Sequence, residues 1–229
     1  QQTQVERVIP FYKAFLNEFP DVRALASAPL SRVLIRWQGL GYNRRAKMLH
    51  EAAKAVIKDH VGKMPNSVEA LEKLPGVGHY TARAVAAFAY NQDVVFVETN
   101  VRTVVTHHFF PNKEKVSDKE ILLILEKVFC KGTAREWFSA LMDYGAFLKR
   151  SGVRVNLKSK TYTKQSTFVG SGREARGAIL RVLSKEPKRE SFLTAILGCD
   201  RGEQVEAQLQ KLLTEGLIEK KRGKYQLAS

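Results

Sequence analysis

The chain has 229 residues, 44% of them hydrophobic, with a formal net charge of +15. That is enough apolar sequence for a packed core, and no apolar run reaches the ~20 residues of a membrane span. Its two cysteines, Cys130 and Cys199, are too few for a four-thiolate zinc or iron–sulfur site. They read as reduced core residues of a cytoplasmic protein. A strong single-sign charge favours a polyanionic partner, although charge alone fits a basic protein with a solvated surface equally well.

The first 150 residues read as helices with short breaks. Val5, Ile9, Tyr12, Phe15 and Leu16 recur at helical spacing up to Phe19-Pro20. The chain begins at Gln1 inside this pattern and without a Met, so upstream residues are expected. Ser31–Trp37 predicts a short helix stopped by Gly39-Leu40-Gly41, and Ala46–His60 another stopped by Val61-Gly62. Asn66-Ser67 with Glu69 opens a short helix that ends at Leu74-Pro75. Tyr80–Tyr90 is Ala-rich and reads as a buried, closely packed helix. Asn100–His108, Asp118–Phe129 and Ala134–Leu148 follow. The run Val94–Val97 is the one strand-like stretch. His107 and His108 are adjacent, cannot share a helix face, and read as surface or core residues rather than ligands.

Composition then changes. Residues 149–164 carry six Lys and Arg and no acidic residue, followed by Ser, Thr and Gly up to Gly172. This predicts a basic linker that lies along DNA, with Lys158 and Lys160 as contacts, or else a solvated tether. The tail from Arg173 predicts three helices, Ala175–Ser184, Glu190–Leu197 and Glu203–Glu215. A β-hairpin with a basic tip at Lys220–Gly223 follows. Three helices and a basic hairpin look like a winged-helix module, a unit that binds DNA in some proteins and protein in others. The expected division is therefore 1–150, a linker over 151–172, and a module over 173–229.

The most informative stretch is Leu74–Arg102. Pro75-Gly76-Val77-Gly78 lies between two helices. Glycine lets the chain turn sharply and approach a ligand closely, and the N–H groups opening the next helix favour an anion. A DNA phosphate fits Gly76, Val77, Gly78 and His79 without any reading of sequence. Downstream, Glu98 stands just before the next helix, as a candidate catalytic carboxylate or as a structural N-cap.

LPGVGHYTA followed by a carboxylate eighteen residues after Tyr80 resembles the helix-hairpin-helix DNA glycosylases. The resemblance covers about Gln1 to Arg150 and is nearest to the adenine glycosylases that act on A opposite 8-oxoguanine. Trp37-Gln38-Gly39-Leu40-Gly41-Tyr42, Arg44–His50 and Leu141-Met142-Asp143-Tyr144-Gly145-Ala146 match as well. The resemblance implies a mainly α, two-lobed fold of that superfamily, here with a small winged-helix-like C-terminal module. Gln1, Gln2 and Thr3 would belong to a helix that wedges into the duplex, with Leu40, Gly41 and Tyr42 nearby on the DNA. Glu98 falls at the family's catalytic Asp, one methylene longer, and Asn100 at an Asn that positions the site. Tyr80 lies where bifunctional relatives carry a Lys nucleophile. A Tyr cannot form a Schiff base, so the resemblance implies a monofunctional glycosylase without lyase activity.

Three departures stand out. The family's Glu that protonates the leaving adenine lies four residues before Gln1, outside this chain, so the chain alone is expected to be weak or inactive. The four-cysteine iron–sulfur loop expected after Ala146 is replaced by the basic segment, so no cluster is expected. At most a monovalent cation would sit at the hairpin. The family's 8-oxoguanine-recognition domain is replaced by the winged-helix-like tail. The reading is thus a glycosylase for adenine opposite 8-oxoguanine or G, with a thymine or uracil mismatch glycosylase and a non-catalytic DNA-binding relative as alternatives. The expected partner is mismatched or damaged double-stranded DNA and no membrane. The expected state is a monomer, cytoplasmic and associated with the nucleoid.

Overall fold

A computed structural model describes residues 5–160, 167–198 and 201–229. The expected wedge residues Gln1, Gln2 and Thr3 therefore lie outside the described residues. The chain forms two compact units, residues 1–64 with 166–229, and residues 65–165. This division differs from one at residues 150 and 172, and the reason lies in the tail's apolar faces.

In the first unit the helices are α1 (Val5–Glu18), α2 (Val22–Ser27), α3 (Leu30–Trp37) and α4 (Arg44–His60). Helix α2 was not evident from periodicity, because six residues hold fewer than two turns. It is set by its N-cap, Asp21, whose Oδ1 accepts from the Ala24 N–H at 2.8 Å. Helix α4 ends where Val61 and Gly62 turn left-handed, at φ 54° and 79°.

The tail supplies α10 (Gly172–Leu183), α11 (Glu190–Leu197), α12 (Gly202–Thr214) and the strands β1 (Ile218–Lys221) and β2 (Lys224–Leu227). The strands pair antiparallel, with Ile218 opposite Leu227. The inward residues of these elements do not close a core of their own. Ile179, Leu183, Leu209, Leu212 and Leu217 are buried in one cluster with Leu25, Leu30, Val33 and Leu34. Two polar bonds cross the same surface: Gln38 Nε2 donates to the Leu180 carbonyl at 3.4 Å, and Lys47 Nζ to the Glu215 carbonyl at 2.7 Å. Each buried Leu or Ile contributes about 1.5–3 kcal/mol, so the tail is bound to α2 and α3 by the core itself.

The second unit holds α5 (Val68–Glu72), α6 (His79–Tyr90), α7 (Thr99–Phe109), α8 (Asp118–Val128) and α9 (Ala134–Arg150). The run Val94–Val97 is extended but is not a strand. Its burial comes from rings instead: Phe96 stacks on Phe138 at 4.0 Å and meets Phe88 edge-on at 5.9 Å. Among the described residues the only sheet is β1–β2.

The first part of the expected linker is structured. After α9 the chain forms a 3-10 turn, Val155–Lys158, and then pairs with the start of α8. Val116 N–H donates to the Lys158 carbonyl at 2.9 Å, and Lys160 N–H to the Val116 carbonyl at 3.1 Å. Ser159 is buried between them. Residues 161–166 lie outside the described residues. Cys130 is exposed rather than in the core, because it falls in the turn after α8, and Cys199 is not among the described residues. No helix among the described residues is long and apolar enough to cross a membrane.

His50 is buried on α4 against α2. Burial disfavours its charged form, and the Lys54 charge adds to this. The backbone of Ala28 and Ala26 and the Glu51 carboxylate only partly offset it, so its pKa lies below the ordinary 6.5. The folded state then binds fewer protons than the unfolded state between the two values, and stability rises with pH there. Stability from this group is complete above about pH 6.5 and declines as pH falls toward the folded value. Melting temperatures measured from pH 8 to pH 5 are expected to fall more steeply for the wild type than for His50→Gln; equal slopes would refute the assignment.

Candidate active site

The site is built at the facing ends of α6 and α7 in the second unit. Ser67 caps α5, its Oγ accepting from Ala70 N–H at 3.2 Å. The chain then turns through Leu74–Gly78, with Val77 N–H donating to the Leu74 carbonyl at 3.1 Å. Gly76 has φ 75°, a left-handed value that favours glycine. Gly78 is different: it is the N-cap of α6 with φ −91°, which any residue adopts. A Cβ built there meets no protein atom within 4 Å. Helix geometry leaves the N–H groups opening α6 without carbonyls one turn back. An open, uncrowded hairpin thus presents N–H groups at the positive end of a helix dipole.

His79 is exposed beside this hairpin. Its Nδ1 lies 2.9 Å from Glu72 Oε1, which also accepts from Arg83 Nη1 at 2.9 Å. The ring is therefore tied to α5 through Glu72.

Glu98 is the N-cap of α7. Its Oε2 accepts from the Asn100 N–H at 2.6 Å. The cap role and a catalytic role are compatible, because one oxygen suffices for the cap. Tyr80 lies within the field of the Glu98 carboxylate. Burial, and then the Glu98 charge, push the Tyr80 hydroxyl above its ordinary pKa of 10. It therefore stays protonated and can donate a hydrogen bond. Its ring packs edge-on against Phe96 at 5.7 Å.

Asn100 occupies the second position of α7, and its Oδ1 is buried with no hydrogen-bond partner among the described residues. Its backbone lies under α9. A Cβ added to Gly145 would sit 2.3 Å from the Asn100 carbonyl oxygen and 2.8 Å from its Cα. Gly145 lets α9 reach the backbone that carries the cap. Further along α7, Arg102 holds Asp118 with two bonds of 3.0 and 2.9 Å.

The structure thus brings together Gly76, Val77, Gly78 and His79 on one hairpin, and Tyr80, Glu98 and Asn100 on the helix ends beside it. Phe96, which packs against Tyr80, and Phe138, on which Phe96 stacks, were not singled out by sequence; a short continuous apolar run was the signal available. Gly145 inside a helical pattern was a signal of close packing.

Other expected contacts lie elsewhere. Leu40, Gly41 and Tyr42 belong to the first unit. There Gly39, Gly41 and Tyr42 all have positive φ, and Trp37 Nε1 donates to the Gly41 carbonyl at 3.0 Å. The Arg45 guanidinium lies over both the Trp37 and Tyr42 rings, at 5.3 and 5.5 Å from their centroids. Tyr42 is exposed. Lys160 is exposed, but Lys158 is engaged internally, its Nζ donating to the Pro111 carbonyl at 2.7 Å. His108 Nε2 lies 2.8 Å from the Tyr144 hydroxyl, with the rings stacked.

Among the described residues no group of three or more His, Cys, Asp or Glu could hold a metal ion. An iron–sulfur cluster needs four thiolates, and the sequence has two cysteines.

The sequence profile of the HhH-GPD superfamily of base excision DNA repair proteins matches residues 1–130. The chain belongs to this superfamily. An adenine DNA glycosylase of Mycolicibacterium smegmatis is 34% identical over 247 aligned residues, covering 100% of the chain and 84% of that protein. An adenine DNA glycosylase of Mycobacterium tuberculosis is 41% identical over 152 residues, covering 64% of the chain but only 49% of that protein. Among solved structures, a thermostable thymine-DNA glycosylase matches with a TM-score of 0.55 at 27% identity, over 64% of the chain and 69% of that structure. An endonuclease III bound to DNA matches with a TM-score of 0.54 at 24% identity, over 67% and 70%, and so shares the fold. The chain is thus a base excision repair protein of the helix-hairpin-helix DNA glycosylase superfamily, and DNA is its partner class.

Within this glycosylase fold the two glycines make different predictions. Gly145→Ala forces a Cβ into backbone and is expected to destabilise the protein by about 2–3 kcal/mol or more in denaturant unfolding. Gly78→Ala places its methyl in open space and is expected to cost only about 0.5–1 kcal/mol, the loss from Gly to Ala at an N-cap. A tolerated Gly145→Ala would contradict the close approach of α9 to Asn100.

Proposed function

We propose that the chain is the core of a monofunctional DNA glycosylase that hydrolyses the N-glycosidic bond of a mispaired base, adenine opposite 8-oxoguanine or G. The observation that carries this reading is a carboxylate, Glu98, anchored at the positive end of α7 beside a protonated Tyr80, where a Lys nucleophile would be needed for lyase chemistry. The hairpin at Gly76–Gly78 supports a phosphate contact made through backbone N–H groups.

Mismatched bases leave the stack at least cost, a few kcal/mol. As the bond between sugar and flipped base stretches, positive charge develops on the sugar. The Glu98 carboxylate is held in place by its cap, so it stabilises that charge without reorganising. Water then delivers hydroxide to the sugar carbon, and the base departs with a proton. Tyr80 donates through its hydroxyl and walls the pocket, and the buried Asn100 Oδ1 is an acceptor for the substrate. Adenine as the target rests on the named relatives in Mycolicibacterium smegmatis and Mycobacterium tuberculosis. The likeness to a thymine-DNA glycosylase supports a second reading, removal of thymine or uracil opposite G.

Duplexes carrying A:8-oxoguanine, A:G, T:G and U:G, each treated with alkali after incubation, separate these readings. Strand breaks are expected at adenine, weak in this chain alone, and only after alkali, with no borohydride-trapped adduct. Breaks at T:G or U:G alone would favour the second reading, and a trapped adduct would overturn the monofunctional assignment. Glu98→Gln is expected to lower excision by roughly 100-fold or more while retaining duplex affinity. Excision by Glu98→Gln at the wild-type rate would remove Glu98 from the mechanism. Gly78→Ala, although stable, is expected to weaken duplex binding, because its methyl occupies the space assigned to the phosphate.

A further inference from the structure

The tail carries a concentration of positive charge that the active site does not use. The segment between α10 and α11 pairs with β2: Lys188 N–H donates to the Tyr225 carbonyl at 3.0 Å, and Tyr225 N–H to the Lys188 carbonyl at 2.8 Å. This pairing sets Lys188, with Lys185 and Arg189 near it in sequence, against the strand that carries Lys224, whose partner in β1 is Lys221. Two carboxylates answer them, Glu186 on Lys188 and Glu219 on Lys221, each at 2.7 Å. Glu186 also lies in the field of Lys224. Among the described residues no carboxylate forms an ion pair with Arg222 or Lys224, and both are exposed.

The hairpin is a fixed mount for these charges. Tyr225, Ile218 and Leu227 are buried beneath it, and the Tyr225 hydroxyl donates to Glu190 at 3.1 Å. Its tip turns through Arg222 at φ 50° and Gly223 at φ 75°, the left-handed pair of a tight two-residue hairpin. A side chain other than Gly or Asn costs about 1–2 kcal/mol at the first of these positions, yet a cation stands there.

The neighbouring helix α12 is unlike this. Its exposed residues are Glu203, Glu206, Ala207, Gln210, Lys211 and Thr214. Two carboxylates against one ammonium suit neither the phosphates nor the groove of a duplex.

We propose that the β1–β2 hairpin, and not α12, is a second contact with duplex DNA, made to phosphates through Lys221, Arg222 and Lys224 and independent of sequence. This rests on the reading of the chain as a DNA glycosylase. Such a contact holds the enzyme on undamaged duplex and adds to affinity without selecting the base.

The test is the salt dependence of binding of the full chain to an undamaged 30-base-pair duplex. Lys221→Gln/Arg222→Gln/Lys224→Gln is expected to weaken binding at least tenfold and make the slope of log K against log salt shallower by roughly 2–3, since each lost phosphate contact removes about 0.9. The same change of charge on α8 and the turn after it, Lys119→Gln/Lys127→Gln/Lys131→Gln, is expected to leave the slope alone. Thermal melts confirm that both variants fold. An unchanged slope for the hairpin variant overturns the proposal while leaving the glycosylase reading intact, and directs attention to an acidic protein partner. An equal change in the α8 variant reduces the effect to net charge and also overturns it. So does loss of affinity in Gln210→Glu with a silent hairpin variant, which moves the contact to α12. A wild type that binds no duplex at any salt removes both readings.

Discussion

The second unit depends on one close approach, that of α9 to the first turn of α7 at Gly145 and Asn100. The Asn100 N–H that closes the Glu98 cap belongs to the same residue whose carbonyl would meet a Cβ on Gly145. A helix terminus is ordinarily its most frayed part. Here that terminus is clamped from outside, so the carboxylate it carries has a fixed position. Electrostatic stabilisation of a developing cation is effective only when the charge is placed beforehand, since reorganisation in the transition state subtracts from it. On the proposed mechanism, packing in α9 is therefore part of the chemistry at Glu98, although no atom of α9 need touch the substrate.

The same arrangement separates the duties of the two polar groups. Glu98 stands at the positive end of α7, where it caps the helix. Tyr80 sits half-buried in the field of that carboxylate and keeps its proton. In the proposed mechanism one stabilises positive charge and the other donates. A Lys at position 80 would be drawn into an ion pair with Glu98, and a neutral amine nucleophile would then have to be generated against that attraction. The tyrosine avoids this competition.

Much of this was legible in the sequence. The long helices follow the apolar spacing to within two or three residues, and the α7 cap sits where a carboxylate two residues before Asn100 places it. Legibility failed where structure is set by contacts distant in the chain. Helix α2 is too short for periodicity and exists through Asp21. Val94–Val97 has strand composition but no neighbouring strand, so aromatic stacking on Phe138 takes the place of a ladder. Cys130 looked apolar enough for the core and lies in a turn. The basic segment after Arg150 showed only its charge, whereas its backbone pairs with Val116, and the Lys158 ammonium is held by the Pro111 carbonyl.

The tail is the largest case of this kind. Its three helices and hairpin have the pattern of an independent module, and pattern alone cannot tell whether an apolar face is covered by its own module or by another segment. Gln38 bonded to Leu180 and Lys47 bonded to Glu215 show that α3 and α4 provide that cover. Removing the tail would expose Leu30, Val33 and Leu34, which otherwise pack in the same cluster as Leu209 and Leu212. At about 25 cal/mol per Å² of apolar surface, several such side chains cost more than a marginally stable fold can lose. A basic hairpin planted on this core therefore moves as part of the unit that carries α3 and α4, whereas a hairpin on a free tether would pay the entropy of ordering that tether each time it met DNA.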